Sequence, residues 1–263
     1  MNKSKNIYTN IAVANIYSES TFNSALVSQT VLWEKLYIME EKESFYQVVC
    51  EDGYRGWIHK TQLSAAQEMK IDKTLMLTRS FVYFYQQPDK KSAVVRSAVA
   101  GSRIAIKEEK GKWLRTVFPD GMNGWIEREV FSALPQLSRD AIIRFSKRFL
   151  GTPYYWGGKT PLGFDCSGFV QFIHKIFGIQ IRRDAFMQFD DAKLVSKDYS
   201  DAGPGDLCFF SENGNKITHV GLCIGKGKVV HARGMVKINS LLKTDADFDA
   251  DLQATFVGVK SFL

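Results

Sequence analysis

The sequence predicts two small all-β barrels in tandem, followed by one α+β domain. Three observations carry this. First, "SFYQVVCEDGYRGWIHKTQL" (44–63) and "KWLRTVFPDGMNGWIEREVF" (112–131) share an aromatic, a strand, "DG", two residues, "GWI" and a closing polar turn. A repeat unit of about 60 residues built of short strands indicates small barrels in series, with Trp57 and Trp125 equivalent. Second, the texture changes after "LPQLS" (134–138), where apolar residues begin to recur at helical spacing. Third, strand-like runs return only after two such helical stretches, and helices first with strands later is the α+β order.

The elements follow in turn. In the first barrel, "IAVANIY", "ALVSQTVLW" and "KLYIMEE" alternate β-branched and aromatic residues with polar ones, and "EDG" is a tight-turn signal before "YRGWI". The second barrel repeats the plan from "LMLTRSFVYFY" onward, with "SAAQEMKIDK" (64–73) as the linker. The expected domains are 1–66, 74–133 and 135–263. In the third, Ile142, Ile143, Phe145, Phe149 and Leu150 mark a helix from Arg139, capped by Ser138 and stopped at "GTP". A glycine-rich loop, "YYWGGKTPLGF", leads to a second helix from Cys166 to Phe177. Its apolar residues Phe169, Val170, Ile173, Ile176 and Phe177 share one face, and Gly178 ends it. The strands "DLCFF", "HVGLCIG", "KVVHARG" and "ATFVGVKSFL" complete the domain.

Composition narrows the function. Hydrophobic residues are 45% of the chain and charged residues 24%, enough apolar matter for real cores. The net charge of +7 would suit an anionic partner. However, the basic residues are scattered, and neither zinc-finger spacing nor a phosphate-cradling glycine loop occurs, so no nucleic-acid partner is expected. No stretch has the length and apolarity of a signal-peptide core or a membrane span. A soluble monomer is expected, either cytoplasmic or exported with its signal absent from this chain.

Of the four cysteines, Cys50, Cys208 and Cys223 sit in apolar strand-like runs and are expected to pack as small buried hydrophobes. No C-x-x-C spacing occurs, so a four-cysteine zinc site or a thioredoxin-like motif is not expected. Cys166 differs, lying between Asp165 and Ser167 at a helix start. The unpaired N–H groups of a first helical turn favour a thiolate and can also receive an oxyanion. A base must come from elsewhere. His174 lies two turns along the same helix, and His59 belongs to the first barrel. His219 and His231 lie on neighbouring strand-like runs. If "GKG" (225–227) is a three-residue hairpin loop, Ile224 faces Lys228 and His231 faces Gly221. The two imidazoles then become diagonal neighbours on one sheet face. That is the logic of nucleophile, base and orienting group. A lone cysteine and a histidine pair are each more often structural. A zinc site of Cys166, His219 and His231 is compatible by residue type, but no further acid stands at ligand spacing. Neither a metal nor another cofactor is expected.

Together, "YYWGGKTPLGFDCSGFVQFIHKIFGI", "PGDLCFF", "THVGLCIG" and "VVHARG" resemble the NlpC/P60 family of papain-like cysteine peptidases, which cut peptidoglycan stem peptides. The barrels resemble the bacterial SH3 domains that precede the catalytic domain in many members. The resemblance implies an α+β papain-like catalytic domain preceded by two small all-β SH3-like barrels. The whole chain is similar to γ-D-glutamyl-L-diamino acid endopeptidases, which usually act on peptides with a free L-Ala amine in cell-wall turnover or recycling. Carried over residue by residue, Cys166 matches the nucleophile, His219 the base and His231 the orienting residue. Tyr154 matches a tyrosine whose hydroxyl lies near the thiolate. Asp165 and Ser167 match substrate contacts, the acid being suited to a free ammonium. Asp184 matches a residue lining the same pocket, and Ala185 stands where the family pattern has serine. Tyr54 matches a pocket tyrosine of the first barrel. An acid expected in that barrel is replaced by Ala25, with Glu19 as a substitute. The expected partners are peptidoglycan stem peptides. An amidase or other papain-like acyl transfer, and a catalytically silent wall-peptide binder, are the alternatives.

Overall fold

A computed structural model describes residues 7–65, 73–131, 136–214 and 216–263. The chain forms two compact units, 1–134 and 135–263. Most of the expected linker (66–72) lies outside the described residues, as does the expected end of the second barrel at 133.

The first unit holds both barrels. One contains β1 (Ile7–Thr9), β2 (Val13–Tyr17), β3 (Leu26–Val31), β4 (Lys35–Lys42), β5 (Phe45–Val49), β6 (Arg55–His59) and β7 (Leu63–Ala65). The other contains β8 (Lys73–Met76), β9 (Phe81–Tyr85), β10 (Val94–Val99), β11 (Arg103–Lys110), β12 (Trp113–Val117) and β13 (Asn123–Glu127). Their strand orders correspond: 3-2-6-5-4-1 in one matches 10-9-13-12-11-8 in the other. Trp57 pairs with Tyr17, and Trp125 with Tyr85, so the tryptophans seen as equivalent in the sequence occupy equivalent sheet positions.

The shared "DG" has one cause in both copies. Gly53 and Gly121 adopt φ of 81° and 85°, a region open chiefly to glycine. The preceding Asp52 and Asp120 each accept the N–H two residues on, from Tyr54 at 3.0 Å and Met122 at 3.1 Å. The barrels also share a core. Leu32 and Trp33 join the second barrel's cluster of Leu77, Phe84, Leu114, Phe118 and Ile126. The Trp33 Nε1–H donates to the Val117 carbonyl at 3.1 Å, and Arg96 ion-pairs with Asp120 at 2.7 Å while lying over the Phe118 ring.

The second unit opens with α1 (Arg139–Ser146), whose expected cap is present: the Ser138 hydroxyl accepts the Ala141 N–H at 3.2 Å. A 3-10 turn, Lys147–Phe149, completes the expected helix, and Gly151 at φ 84° ends it. Two short strands follow, β14 (Lys159–Thr160) and β15 (Gly163–Phe164), and then α2 (Cys166–Ile176). All of α2 except Lys175 is buried, so it is a central helix whose polar positions are covered along with the apolar face that its pattern marks. His174 belongs to that core, its Nδ1 lying 2.8 Å from the Val170 carbonyl. A further helix, α3 (Ala185–Asp191), is not foreshadowed in the sequence. It is short and lacks a side-chain cap bond, so neither of the usual cues marks it.

The sheet contains β16 (Lys193–Ser196), β17 (Leu207–Phe210), β18 (His219–Gly225), β19 (Lys228–Arg233), β20 (Met235–Ser240) and β21 (Phe256–Ser261), in the order 16-21-17-18-19-20. Every neighbouring pair is antiparallel. α2 packs on β18 and β19. Leu252 of α4 (Ala250–Ala254) covers a cluster of Cys208, Phe210, Val229 and Val259.

Candidate active site

Cys166 is the first residue of α2, with Asp165 as N-cap: its Oδ1 accepts the Gly168 N–H at 2.7 Å. The sulfur meets the start of β18, where the Val220 N–H donates to it. His219, the preceding residue, is the first of β18.

The register of β18 and β19 comes from a different turn than the sequence suggested. Gly225, not Ile224, pairs with Lys228, and the loop is the two residues Lys226 and Gly227, at φ of 54° and 67°. Two positive φ values describe a type I′ turn, whose twist suits adjoining antiparallel strands. A bulge between Cys223 and Gly225 absorbs the one-residue difference, and Leu222 still faces Val230. His231 therefore ends up across from Gly221, as expected. A side chain at Gly221 would meet Val229 Cγ1 at 2.3 Å and His231 Cβ at 3.0 Å. The bare position leaves the histidine its room.

The two imidazoles meet with centroids 5.0 Å apart and planes at 82°. His219 Nε2 lies 2.8 Å from His231 Nδ1, and His231 Nε2 lies 3.0 Å from Asn239 Oδ1. This chain fixes the tautomers. The Asn239 amide nitrogen donates to the Asp247 carbonyl, which orients Oδ1 toward His231 as an acceptor. His231 must then donate from Nε2 and accept at Nδ1, so His219 donates from Nε2. The lone pair of His219 is left on Nδ1, the form a base requires. Asn239 lies on β20, one diagonal step from His231, which pairs with Lys237. Sequence reasoning missed it. The short "RGM" connection between "VVHA" and "VKINS" would have supplied the register, had it been taken as a hairpin.

Electrostatics correct one expectation. Burial pushes the Cys166 thiol up to about 12, and the Asp165 charge adds to this. The N–H groups of Val220 and Ser167 and the Arg183 charge pull the other way without prevailing. Desolvation outweighs the helix start, so the resting thiol is protonated and not the preformed thiolate the sequence suggested. Burial also lowers His219 well below the ordinary 6.5, helped by His231, and takes His231 down to about 4 against the Asn239 bond. Both rings are neutral at neutral pH.

Asp165 and Ser167 have internal partners. The Asp165 carboxylate takes N–H groups from Gly168 and Gly157 and a two-pronged ion pair from Arg183. The Ser167 hydroxyl accepts from Arg183 Nη1 at 2.9 Å and lies 3.3 Å from Asp165 Oδ1. Both side chains are thus used to join the glycine loop, the start of α2 and the segment before α3. The expected ammonium partner is a carboxylate whose two oxygens are already engaged. Arg183, almost fully buried, was missed because "IRRDAF" does not distinguish it from the exposed Arg182.

The other expected residues belong to both units, and each is placed within its own. Tyr154 is half-buried, and burial, with Cys166 and Asp165 as neighbours, raises its hydroxyl. Asp184 occupies the N-cap position of α3, and Ala185, buried, is its first residue with no hydroxyl to offer. Tyr54 packs against the core of the first barrel. Glu19 and Ala25 lie exposed between β2 and β3. Among the described residues, no group of three or more His, Cys, Asp or Glu is placed to hold a metal.

Known proteins match this arrangement. The NlpC/P60 family model matches residues 151–247, a bacterial dipeptidyl-peptidase SH3 domain matches 16–63 and a bacterial SH3 domain matches 79–132. A γ-D-glutamyl-L-lysine dipeptidyl-peptidase of Bacillus cereus (strain ATCC 10987 / NRS 248) is 30% identical over 227 residues, covering 79% of this chain and 67% of the relative. The protein of the same description from Bacillus subtilis (strain 168) is 30% identical over 243 residues, covering 88% and 81%. The crystal structure of an NlpC/P60 family protein from Bacillus cereus ATCC 10987 superposes with a TM-score of 0.82 at 23% identity, covering 98% of this chain and 99% of that one. That likeness shows the fold. The chain belongs to the NlpC/P60 family of cysteine peptidases, with two bacterial SH3 domains ahead of its papain-like catalytic domain.

Proposed function

We propose that this protein is an endopeptidase that hydrolyses the bond between γ-D-glutamate and the following diamino acid in peptidoglycan-derived stem peptides, acting on those with a free N-terminal L-Ala. The observation that carries the reading is the neutral chain from Asn239 through His231 to His219, which leaves a lone pair on Nδ1 at the residue next to Val220. The names of the relatives supply the bond.

In this mechanism His219 Nδ1 takes the Cys166 proton as the sulfur attacks the γ-D-glutamyl carbonyl. The Cys166 N–H and the Tyr154 hydroxyl receive the oxyanion. The imidazolium, held by His231, gives its proton to the leaving amine. Water, deprotonated by His219, then hydrolyses the thioester. Asp184 contacts the substrate, while Asp165 and Ser167 act through the helix start they hold.

The test is incubation with L-Ala-γ-D-Glu-L-Lys and its N-acetylated counterpart, read by mass spectrometry. Release of L-Ala-γ-D-Glu, faster from the free amine, is expected. In a parallel incubation with a muropeptide, intact stem peptide freed from the sugar, with this bond uncut, would identify an amidase and overturn the proposal.

Two further outcomes follow from the histidine chain. The kcat/KM is expected to hold its plateau as pH falls through 6.5 and to decline only below it. The sign follows from His219: lowering its value keeps the base form present in more acid solution. A pH–rate profile whose acid limb lies at or above 6.5 would contradict this. Asn239→Ala removes the acceptor that sets the tautomers. A buried hydrogen bond is worth about 1–1.5 kcal/mol, so kcat should fall by about tenfold. Asn239→Asp, which keeps an acceptor, should retain most of the rate and move the acid limb upward. An unchanged kcat and profile in both variants would remove Asn239 from the chain.

A further inference from the structure

Cys208 and Cys223 have no part in the proposed mechanism, yet their sulfurs lie 2.6 Å apart. Both are free thiols and both are buried. Cys208 on β17 faces Gly221 on β18, and Cys223 is two residues further along β18 on the same face. The Cys223 N–H donates to the Asp206 carbonyl at 2.7 Å, which fixes the register beside the pair. Phe210, Val229, Leu241, Leu252 and Val259 pack around them. An S–S bond is about 2.0 Å long, so closure needs only about 0.6 Å of sulfur movement. A narrow crevice lined by Tyr199, Ala202, Gly225, Gly227 and Lys228 borders both cysteines but has no room for a water-sized molecule.

We propose that Cys208 and Cys223 form a redox modification site, in which a small peroxide converts the dithiol to a disulfide that pins β17 to β18. One sulfur attacks a peroxide oxygen. The O–O bond breaks, water leaves and a sulfenic acid forms. The second sulfur displaces the remaining oxygen as a second water, and the S–S bond closes. Two electrons pass from the sulfurs to the peroxide, and both thiol protons leave in the waters. The contact with the Cys208 sulfur, and burial after it, hold the Cys223 thiol well above its ordinary range. Attack therefore awaits outward motion of the β18–β19 hairpin, and oxidation is slow, in contrast to that of an exposed sensor cysteine. The linked loop spans 208–223 and includes His219, so the bond restrains the unfolded chain and tightens the strand that carries the proposed base.

The experiment uses Cys166→Ala, so that the proposed nucleophile does not consume oxidant. The folded protein is treated with hydrogen peroxide, then alkylated and mapped without reduction. The expected result is loss of two hydrogen masses, a peptide joining 208 to 223, reversal by dithiothreitol, and a Tm raised by about 5 to 10 °C. A Cys223→Ala partner should show no mass loss, but the mapping of the parent stands even if that variant fails to fold. Urea-unfolded protein treated in parallel must form disulfides, which shows that the reagent is competent. A folded protein that keeps both thiols under those conditions, or that links either one to Cys50 instead, overturns the proposal.

Discussion

Replacing Cys166 with alanine is expected to lower kcat/KM on L-Ala-γ-D-Glu-L-Lys by at least about 10⁴-fold, without loss of folding. Removing the nucleophile of a concerted unit costs about as much as removing the whole unit, because no other group can form the acyl intermediate. The alanine keeps most of the buried volume, so the thermal transition should move by no more than a few degrees. Cleavage at the parent rate would sink the assignment of the nucleophile. Cys166→Ser is informative beside it. A serine hydroxyl is harder to ionise than a thiol, and the buried thiol is already pushed up to about 12. Neutral His219 is then a poor base for the serine, and its activity should lie near that of the alanine variant.

Replacing Asp165 with alanine is expected to destabilise the catalytic domain by about 3–5 kcal/mol, the cost of leaving a buried charge without its partner. Arg183 is almost wholly buried and donates both prongs to this carboxylate. The same substitution removes the cap of α2, which accounts for about 1 kcal/mol of that range. Urea unfolding of the full chain measures it. The double variant Asp165→Asn with Arg183→Met separates the two contributions. Losing both charges together should recover part of the stability, because an ion pair taken out as a unit costs far less than a broken one. An Asp165→Ala transition within about 1 kcal/mol of the parent would show that the pair is not what holds the helix start.

Much of the architecture was legible because it rests on local chemistry. The "DG" turns read correctly because φ near +80° at Gly53 and Gly121 is a property of the residue itself. Ser138 and Gly178 marked helix ends for the same reason, since capping and left-handed termination act within one turn. The pairing of His231 with Gly221 was reached through a wrong loop. A three-residue turn and a two-residue turn plus a bulge at Ile224 give the same register beyond the bulge.

The sequence alone determined the two-barrel repeat, the helix that begins at Cys166 and the face shared by His219 and His231, all from spacing and period. Only the tertiary structure decided three things. The thiol is protonated, because desolvation at the strand start exceeds the pull of the helix end. Asp165 and Ser167 turn inward, because a buried Arg183 from 16 to 18 residues away needs their oxygens. Asn239 sets the tautomers, because an antiparallel hairpin carries it to His231. Each depends on burial or on partners distant in the chain, and neither is a property of a residue and its immediate neighbours.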